Sequence, residues 1–533
     1  MTSPWWRQAV LYHIYPLSFS DSNGDGYGDL TGIFRHLDYL SWLGVGAVWM
    51  SPIYRSPMKD WGYDITDHKD IDPIFGDLFN FDKLLAAIHQ QGMKLLLDFV
   101  PNHTSNEHPW FKESRRDRIN VKRDWYIWAQ GKPDGSAPNN WLSHFGGSAW
   151  TLDPATGEYY LHSFMAEQPD LNWRNPEVRT AMLDVMRFWL ARGVDGFRTD
   201  AVYGLIKDKQ LRDNPANPQF VPGVTDPTDA LLALHSSGQR SLNGIISSFC
   251  NVLAENDDRF LVSEAYLNVH GMHALYGACS EHPLHAPFNF NLMTLPWNAT
   301  AFREFIDEYE ASIGSDDLPN YVLGNHDRSR LASRVGAGKA RLLALLQLTL
   351  RGMPVIYYGD ELGLKDSVVP DERVRDPWGI RVPGYGFGRD GERSPMPWSA
   401  QAHGGFSSHK PWLPLGANAA TANVESEQAH AGSLLNMYRR LIQLRRLSSA
   451  LLDGKYEAVS TDNDGIFAFT RTSLSQQVLI VLNFSDETTR FKPTDEPRRL
   501  LVGTHARVGA ATIAPELAPF EGRVYLMSGE EIA

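Results

Sequence analysis

Eight short apolar segments, separated by helical patterns, constrain the fold of this chain more than any other feature. Each segment ends in polar or small residues, and strands that alternate with helices form parallel sheets. Eight such units predict an α/β fold, a closed (β/α)8 TIM barrel, in which the functional side chains lie at the carboxyl ends of the strands. The predicted strands span residues 9–15, 46–50, 94–100, 194–200, 260–264, 288–290, 321–325 and 355–358.

The alternation of strands and helices is interrupted within the predicted barrel and again after it. Residues 104–173, between strands three and four, are rich in Trp, Pro, Asn and Gly, which predicts an inserted subdomain over the barrel mouth. After a helical pattern at 434–444 the chain turns to short β-like runs, such as 466–470 and 478–484. These runs predict a C-terminal β-sandwich domain at 451–533, so that the barrel comprises residues 1–103 and 174–450.

Charge and composition restrict the kind of partner. The 533-residue chain carries a net charge of −13 and no basic cluster, which argues against binding to nucleic acid or to an anionic membrane surface. We therefore expect a neutral, small-molecule partner and a monomer or homodimer. Cys250 and Cys279 are the only cysteines, which suits a reducing compartment and excludes a disulfide scaffold. The N-terminus lacks a charged start followed by an apolar stretch, so we expect a cytoplasmic protein.

The helix that precedes strand four has clear start signals. Asn175 is a typical N-cap residue, and Pro176 suits the first helical position. The pattern predicts a helix over 176–190, a tight glycine turn, and then strand four.

Ionisable side chains follow four of the predicted strands, at the point where each strand ends. Side chains alternate along a strand, so Arg198 and Asp200 share one face. A structural salt bridge explains an isolated pair of this kind. A whole set at one rim of a barrel is better explained by function, since it would otherwise cost stability. The set comprises Asp98, His103, Arg198, Asp200, Glu264, His326 and Asp327.

These strand ends resemble the α-amylase family of glycoside hydrolases and, within it, the α-glucosidase and oligo-1,6-glucosidase branch. The motifs that carry the resemblance lie at 98–103, 196–200, 263–265 and 325–327, with supporting matches at 62–65 and 168–172. They occur in the family's order along nearly the whole chain. The resemblance implies a barrel enzyme that hydrolyses glycosidic bonds.

The resemblance also implies a role for each catalytic carboxylate. Asp200 matches the nucleophile, Glu264 the general acid/base and Asp327 the transition-state stabiliser. A retaining mechanism needs one ionised and one protonated carboxyl group about 5–5.5 Å apart. We expect Arg198 to keep Asp200 ionised, and a less polar setting to keep Glu264 protonated.

Further residues match positions that bind glucose in the family. His103 and His326 follow barrel strands and are expected to bind the same sugar, although a lone histidine is more often structural. Tyr63, Asp64 and Arg393 resemble residues that close the pocket around the non-reducing end. For Arg393 a loop-fixing ion pair is the alternative. Phe145 and Phe164 are candidate stacking walls.

A cation site is predicted in the loop after strand one. Oxygen-bearing side chains at alternate positions, with glycines between them, allow a loop to wrap a hard cation. The loop lacks the glutamate that would complete an EF-hand, since position twelve is Gly32, so we expect a one-loop Ca²⁺ or Mg²⁺ site, as the resemblance also implies. A plain Asx-turn loop is the alternative. The candidate ligands are Asp21, Asn23, Asp25, Tyr27 and Asp29.

Several activities fit this pattern. The leading hypothesis is an exo-acting α-glucosidase, and the closest alternatives are a transglucosylase or an isomerase of the trehalose synthase or sucrose isomerase type, or an oligo-1,6-glucosidase. A non-catalytic relative would lack the carboxylates, and an endo-amylase would lack the 168–172 motif. In the branch that this chain resembles, valine after the nucleophile accompanies α-1,6 preference, and alanine or threonine accompanies α-1,4. Ala201 therefore predicts maltose and short malto-oligosaccharides as substrates.

Overall fold

A parallel sheet forms the centre of the molecule. The computed structural model describes residues 3–239, 241–279, 284–314, 316–493, 496–505 and 515–530. Within them seven parallel strands pair in the order 6-5-4-3-2-1-8, where the numbers are barrel positions. Their bounds are Leu11–Ile14, Ala47–Met50, Lys94–Phe99, Gly196–Thr199, Phe260–Glu264, His285–Phe288 and, at position eight, Val355–Tyr357.

The seventh barrel position closes the sheet through two parallel bridges. Tyr321 pairs with Asn289 just beyond strand six, and Val322 pairs with Val355 at the start of strand eight. Strand eight in turn pairs with strand one, Leu11 opposite Val355. The predicted barrel is confirmed, with its seventh strand reduced to this short contact.

The sixth strand lies three residues earlier than the predicted 288–290, and that prediction was wrong. The strand runs over His285–Phe288, because these residues pair with Leu261–Glu264 of strand five. Phe290 has already turned to helical dihedrals (φ −90°, ψ −4°). The prolines and polar residues before Phe288 concealed the strand in the sequence.

Helices surround the sheet and supply part of its apolar packing. The helix Pro176–Ala191 begins as predicted, with the Asn175 side chain accepting a hydrogen bond from the Glu177 amide. The helices are Trp5–Gln8, Leu30–Arg35, Leu37–Leu43, Leu78–Gln90, Pro109–Ser114, Pro176–Ala191, Leu242–Leu253, Val269–Gly277, Ala299–Ser312, Leu331–Val335, Ala337–Thr349, Pro377–Arg381, Val424–Ala429, Leu434–Leu447 and Ser449–Asp453. None of the helices in the described part of the chain is both long and apolar enough to cross a membrane.

The barrel interior is a packed core. Trp49, Leu96, Val262 and Phe288 belong to one buried cluster drawn from several barrel strands. Filling the centre in this way leaves only the two ends of the barrel for binding.

The excursion after strand three folds as a small antiparallel sheet. Its strands are Trp128–Ala129, Glu158–Leu161 and Trp150–Asp153, with the second in the middle. A bridge from His103 to Asp170 ties the excursion back to the end of strand three, and a bridge from Tyr126 to Leu171 lies within the excursion. The small sheet therefore belongs to the connection that follows the carboxyl end of strand three, and the subdomain limits stay a prediction.

The C-terminal part is built from antiparallel strands. The runs predicted at 466–470 and 478–484 are the strands Ile466–Thr472 and Gln476–Asn483. They join three others in a five-stranded sheet, Lys455–Val459, Arg499–Gly503 and Gly522–Gly529, and Thr489–Arg490 pairs separately with Glu516–Leu517. The predicted domain limits themselves stay predictions.

The two cysteines form a disulfide, contrary to the expectation from the sequence. Cys250 lies near the end of the helix Leu242–Leu253, and Cys279 follows the helix Val269–Gly277. These helices flank strand five, so residues 29 positions apart come to a Cα–Cα distance of 6.0 Å. The two cysteines therefore no longer indicate a reducing compartment.

Candidate active site

Arg198 is the centre of the charged cluster at the carboxyl end of the barrel. Its side chain is fully buried, and its Nη1 atom lies 2.8 Å from both Asp98 Oδ1 and Asp200 Oδ1. Its Nη2 atom lies 2.8 Å from Glu264 Oε2. One guanidinium therefore joins the ends of strands three, four and five, and it brings Asp200 and Glu264 together.

Three carboxylates around one guanidinium leave an excess of negative charge. Burial raises the pKa of Asp200 well above its ordinary value, against the opposing effect of Arg198, and Glu264 and Asp98 raise it further. Burial likewise raises the pKa of Asp98 to about 6. Arg198 acts against these effects, and the ionised state of Asp200 that we expect from it stays a prediction.

Glu264 is oriented by the backbone of the residue after Asp200. Its Oε2 atom accepts a hydrogen bond of 3.1 Å from the Ala201 amide. Ala201 is buried and has left-handed dihedrals, φ 41° and ψ 43°. L-residues other than glycine rarely adopt this conformation, which points to a constraint at the site.

Asp327 lies among positive groups. Its Oδ1 atom is 3.0 Å from Arg389 Nη1 and 3.0 Å from Arg393 Nη2. Burial by itself would raise the pKa of Asp327, but His326, Arg389 and Arg393 together hold it well below the usual range. Asp327 is therefore ionised at neutral pH.

Tyr63 links the two histidine positions. Its hydroxyl lies 2.7 Å from His326 Nε2 and 3.1 Å from Asp98 Oδ2. The His103 Nε2 atom is 3.2 Å from the Tyr63 carbonyl oxygen. Burial lowers the pKa of His103 to about 4 and that of His326 well below its ordinary value. Burial thus favours the neutral form of both rings, although the neighbouring Asp327 acts in the opposite direction on His326.

Phe145 and Phe164 stand edge to face at this site, with ring centroids 5.7 Å apart. The guanidinium carbon of Arg389 lies 4.9 Å from the Phe145 centroid, and the His103 ring lies 5.1 Å from Phe164. Both phenyl rings are thus in contact with polar residues of the site.

The chain is similar in sequence and in structure to known proteins. The α-amylase catalytic domain matches residues 13–454. The chain belongs to the α-amylase family of glycoside hydrolases. It is 40% identical to a probable α-glucosidase of Rhizobium meliloti (strain 1021), over 91% of this chain and 90% of the relative. An oligo-1,6-glucosidase of Parageobacillus thermoglucosidasius is 36% identical, over 98% and 99% of the two chains.

Solved structures from this family are similar over the full length. The α-glucosyl transfer enzyme XgtA has a TM-score of 0.92 and 38% identity, covering 99% of this chain and 100% of its own. The trehalulose synthase MutB of Pseudomonas mesoacidophila has a TM-score of 0.88 and 32% identity, covering 99% and 100%.

Asp64 resembles, in sequence, a residue that closes the pocket around the non-reducing end, but in the structure its carboxylate faces its own loop. Its carboxylate accepts hydrogen bonds from the Ser56 hydroxyl at 2.9 Å and from the amides of Lys59 and Asp60, each at 3.0 Å. These bonds close the loop that precedes Tyr63. Asp64 therefore stabilises this loop.

Asp60 and Arg389 are the site residues that the sequence reasoning missed. Asp60 Oδ1 lies 2.8 Å from Arg389 Nη2, and Gln168 Nε2 donates to Asp60 Oδ2 at 3.0 Å. The same guanidinium lies 3.0 Å from Asp327, so this buried pair is joined to the charged residues at the carboxyl end of the barrel. The available signal was proximity in sequence, since Asp60 lies in the Tyr63 loop and Arg389 in the motif of Arg393.

Arg393 lies behind Asp327, fully buried. Its Nε atom donates to the His326 carbonyl at 2.9 Å, and Nη2 lies 3.0 Å from Asp327. This geometry fits the ion-pair alternative for Arg393, because the side chain fixes Asp327.

The loop from Asp21 to Asp29 is held by its own side chains. Asp21, Asn23 and Asp25 each accept a hydrogen bond from the amide two residues ahead, and Asp29 caps the next helix through the Gly32 amide. Across the described ranges of the chain, no group of three or more His, Cys, Asp or Glu residues lies close enough together to hold a metal. These turns match the Asx-turn alternative, and the cation site stays a prediction.

Proposed function

We propose that this glycoside hydrolase is a retaining, exo-acting α-glucosidase that releases glucose from the non-reducing end of short α-glucosides. The observation that carries the proposal is the shared guanidinium of Arg198, which holds Asp200 and Glu264 side by side. A retaining enzyme needs its two carboxyl groups only about 5–5.5 Å apart.

In the proposed reaction Asp200 attacks the anomeric carbon while the bond to the leaving oxygen breaks. Glu264 gives its proton to that oxygen, and a covalent glucosyl-enzyme forms. Glu264 then takes a proton from water, which attacks the same carbon and frees Asp200. The ionised Asp327 favours the positive charge that develops on the sugar ring.

The proposed exo action is supported by the pair of Asp60 and Arg389. Both side chains are buried, and Arg389 also lies 2.7 Å from Asp376. A buried ion-pair network of this kind is costly to break. It would close the far end of a pocket for one glucose unit, with Tyr63 and His103 along its wall.

A preference for α-1,4 linkages is supported by the small side chain of Ala201, whose amide contacts Glu264. The similar proteins carry both kinds of name: a maltase 1 of Drosophila virilis is 38% identical, and several others, such as that of Parageobacillus thermoglucosidasius, are called oligo-1,6-glucosidase. The linkage is therefore tested directly by substitution at position 201.

A second candidate function is glucosyl transfer or isomerisation on the same scaffold. The similarity to XgtA and MutB favours it, because these two are named as a transfer enzyme and a trehalulose synthase. Both reactions use the same glucosyl-enzyme and differ in what attacks it. A thin-layer chromatogram of products from maltose, isomaltose, sucrose and trehalose separates the candidates: glucose release supports hydrolysis, and new disaccharides support transfer.

The catalytic assignment is tested with Asp200→Asn and Glu264→Gln. Asp200→Asn should reduce kcat on maltose by several orders of magnitude, because no covalent intermediate forms. Glu264→Gln should be far less impaired with leaving groups that need no proton. Asp184→Asn, on the exposed face of the preceding helix, is the matched control. Near-wild-type turnover by Asp200→Asn would remove Asp200 as the nucleophile.

We also propose a structural Ca²⁺ or Mg²⁺ ion in the loop after strand one, held by Asp21, Asn23, Asp25, Tyr27 and Asp29. A bound ion would stabilise the fold without entering the reaction. A chelator should therefore lower the Tm and leave initial rates in the cold unchanged, and Asp25→Asn should make the Tm insensitive to chelator. An unchanged Tm on chelation would favour a loop held by hydrogen bonds alone.

Location and assembly remain proposals as well. We propose a cytoplasmic monomer or homodimer acting on a small-molecule α-glucoside. The disulfide between Cys250 and Cys279 is an observation against a strongly reducing compartment. Fractionation of the native host is therefore the measurement that tests the cytoplasmic location.

A further inference from the structure

Trp412 lies behind the charged residues of the site, in the connection that follows strand eight. Its side chain is only 3% exposed. The indole contacts the ring of Tyr15, with centroids 6.3 Å apart, and the ring of Trp61, with centroids 4.7 Å apart. A buried tryptophan thus joins two segments that reach the site from different parts of the chain.

The indole N–H of Trp412 orients a serine that holds the Arg393 segment. Trp412 Nε1 donates to Ser18 Oγ at 2.9 Å, and Ser18 Oγ donates to the Arg393 carbonyl. An indole N–H can only donate, so Ser18 Oγ accepts from it and keeps its own proton for that carbonyl. The Ser18 carbonyl also accepts from the Met396 amide at 2.8 Å. Ser18 is therefore bonded to the backbone of this segment at two points.

Arg393 passes this constraint on to Asp327. Its side chain is fully buried, Nε donates to the His326 carbonyl at 2.9 Å, and Nη2 lies 3.0 Å from Asp327 Oδ1. Tyr15 supports the same groups. Its ring is stacked on His326 with centroids 5.7 Å apart, and the guanidinium carbon of Arg393 lies 5.2 Å from its centroid. The position of the Asp327 carboxylate therefore depends on buried residues behind it.

The ring of Trp412 also supports a strained loop. Trp61 has a positive φ of 49°, which bulky residues rarely adopt. Its Nε1 donates to the Arg375 carbonyl at 3.2 Å, and its ring contacts that of Trp412. A backbone of this kind persists only where surrounding contacts hold it. The loop carries Asp60 and Tyr63, so the Trp412 ring helps to hold a second part of the site.

We propose that Trp412 is a positioning residue for the reaction. Its indole N–H holds Asp327 in place through Ser18 and Arg393, and its ring holds the loop of Asp60. The proposal rests on the proposed function, in which the ionised Asp327 favours the positive charge that develops on the sugar ring. Loss of the N–H alone should therefore slow the reaction without weakening the binding of glucose.

Trp412→Phe tests this, because it keeps an aromatic ring and removes the N–H. It should lower kcat on maltose by roughly two- to tenfold, as expected for the loss of one hydrogen bond, and leave KM unchanged. Ser18→Ala should have the same effect, since it removes the next link. The double variant should lose no more activity than either single variant, because both changes break one connection. Additive losses would show that Trp412 does not act through Ser18.

Trp398→Phe is the matched control. Trp398 lies in the same connection, is 8% exposed, and donates its Nε1 to the Phe19 carbonyl at 2.8 Å. Its ring stacks on His36, with centroids 3.5 Å apart. The control loses the same kind of hydrogen bond, so it should lower the Tm as Trp412→Phe does and keep the kcat of wild type. Equal losses of kcat in the two variants would assign the effect to general destabilisation and overturn the proposal.

Binding without turnover separates this proposal from the proposed function. The iminosugar 1-deoxynojirimycin carries a basic ring nitrogen and, as a cation, imitates the charge of the transition state, whereas glucose is neutral. In calorimetric titrations Trp412→Phe should weaken the Kd for the iminosugar by roughly two- to tenfold and leave the Kd for glucose unchanged. An unchanged iminosugar Kd, or equal weakening for both ligands, would overturn the positioning role. Wild type that is inactive on maltose, with the iminosugar effect present, would overturn only the proposed function.

Discussion

The side chain at position 201 offers the most direct test of what determines the linkage preference of this site. Ala201 directly follows Asp200, is 2% exposed, and donates its amide to Glu264 Oε2 at 3.1 Å. Replacing it by valine adds two methyl groups next to Asp200 and Glu264, the two carboxylates of the proposed reaction. The added bulk narrows the entrance to the next sugar position, where we expect the ring of an α-1,4-linked sugar to lie. A more flexible α-1,6 linkage can move its ring away.

Because of the backbone conformation at position 201, the same substitution should also change the free energy of unfolding. Left-handed dihedrals cost an L-residue roughly 1–2 kcal/mol, and a β-branched side chain makes them worse. Ala201 already bears this cost, so Ala201→Val should lower the free energy of unfolding only by the further cost of a β-branched side chain in this conformation. For linkage, a methyl-sized change in a pocket is worth about 1–3 kcal/mol, or roughly 10–200-fold. We expect the maltose-to-isomaltose ratio of kcat/KM to fall by at least about tenfold.

The assay measures kcat/KM for maltose and isomaltose in wild type, Ala201→Val, Ala201→Thr and Ala201→Gly. Threonine has the shape of valine, so the space argument requires both to shift the ratio alike. Glycine tolerates left-handed dihedrals and should leave the ratio high while relieving the backbone. Wild-type preference for isomaltose, or an unchanged ratio in the valine variant, would refute the reasoning. An equal loss on both sugars would instead show that backbone strain had disturbed Glu264.

Two further predictions concern the stability of the fold, through the disulfide and the buried Glu392. The disulfide closes a loop of 29 residues, so Cys250→Ala with Cys279→Ala should lower the free energy of unfolding by about 3–4 kcal/mol. A reductant should lower the Tm of wild type but not that of this double variant. Equal Tm values of wild type with and without the reductant would contradict the disulfide. Burial raises the pKa of Glu392 to about 8, far above the value of about 4.3 in an unfolded chain. Its contribution to stability is therefore present below about pH 4.3 and lost as the pH rises to about 8. Glu392→Gln should match wild type in Tm near pH 4.5 and exceed it at about pH 8.5, and parallel Tm curves would contradict this.

Much of the fold is determined by local patterns. The eight apolar segments identified the barrel because the period of a buried strand and the spacing of the helices are local properties of the chain. Asn175 and Pro176 placed the start of their helix for the same reason. The motifs at 98–103, 196–200 and 325–327 likewise pointed to the strand ends that carry the charged cluster.

Only tertiary structure decided which of these side chains meet. Asp60 and Arg389 are separated by 329 residues and form one buried pair, whereas Asp64, four residues from Asp60, faces its own loop. The disulfide, the short seventh barrel contact and the left-handed Ala201 were equally hidden from the sequence. In each case the deciding quantity is a distance or a dihedral that arises from long-range packing, and local propensity carries no information about it.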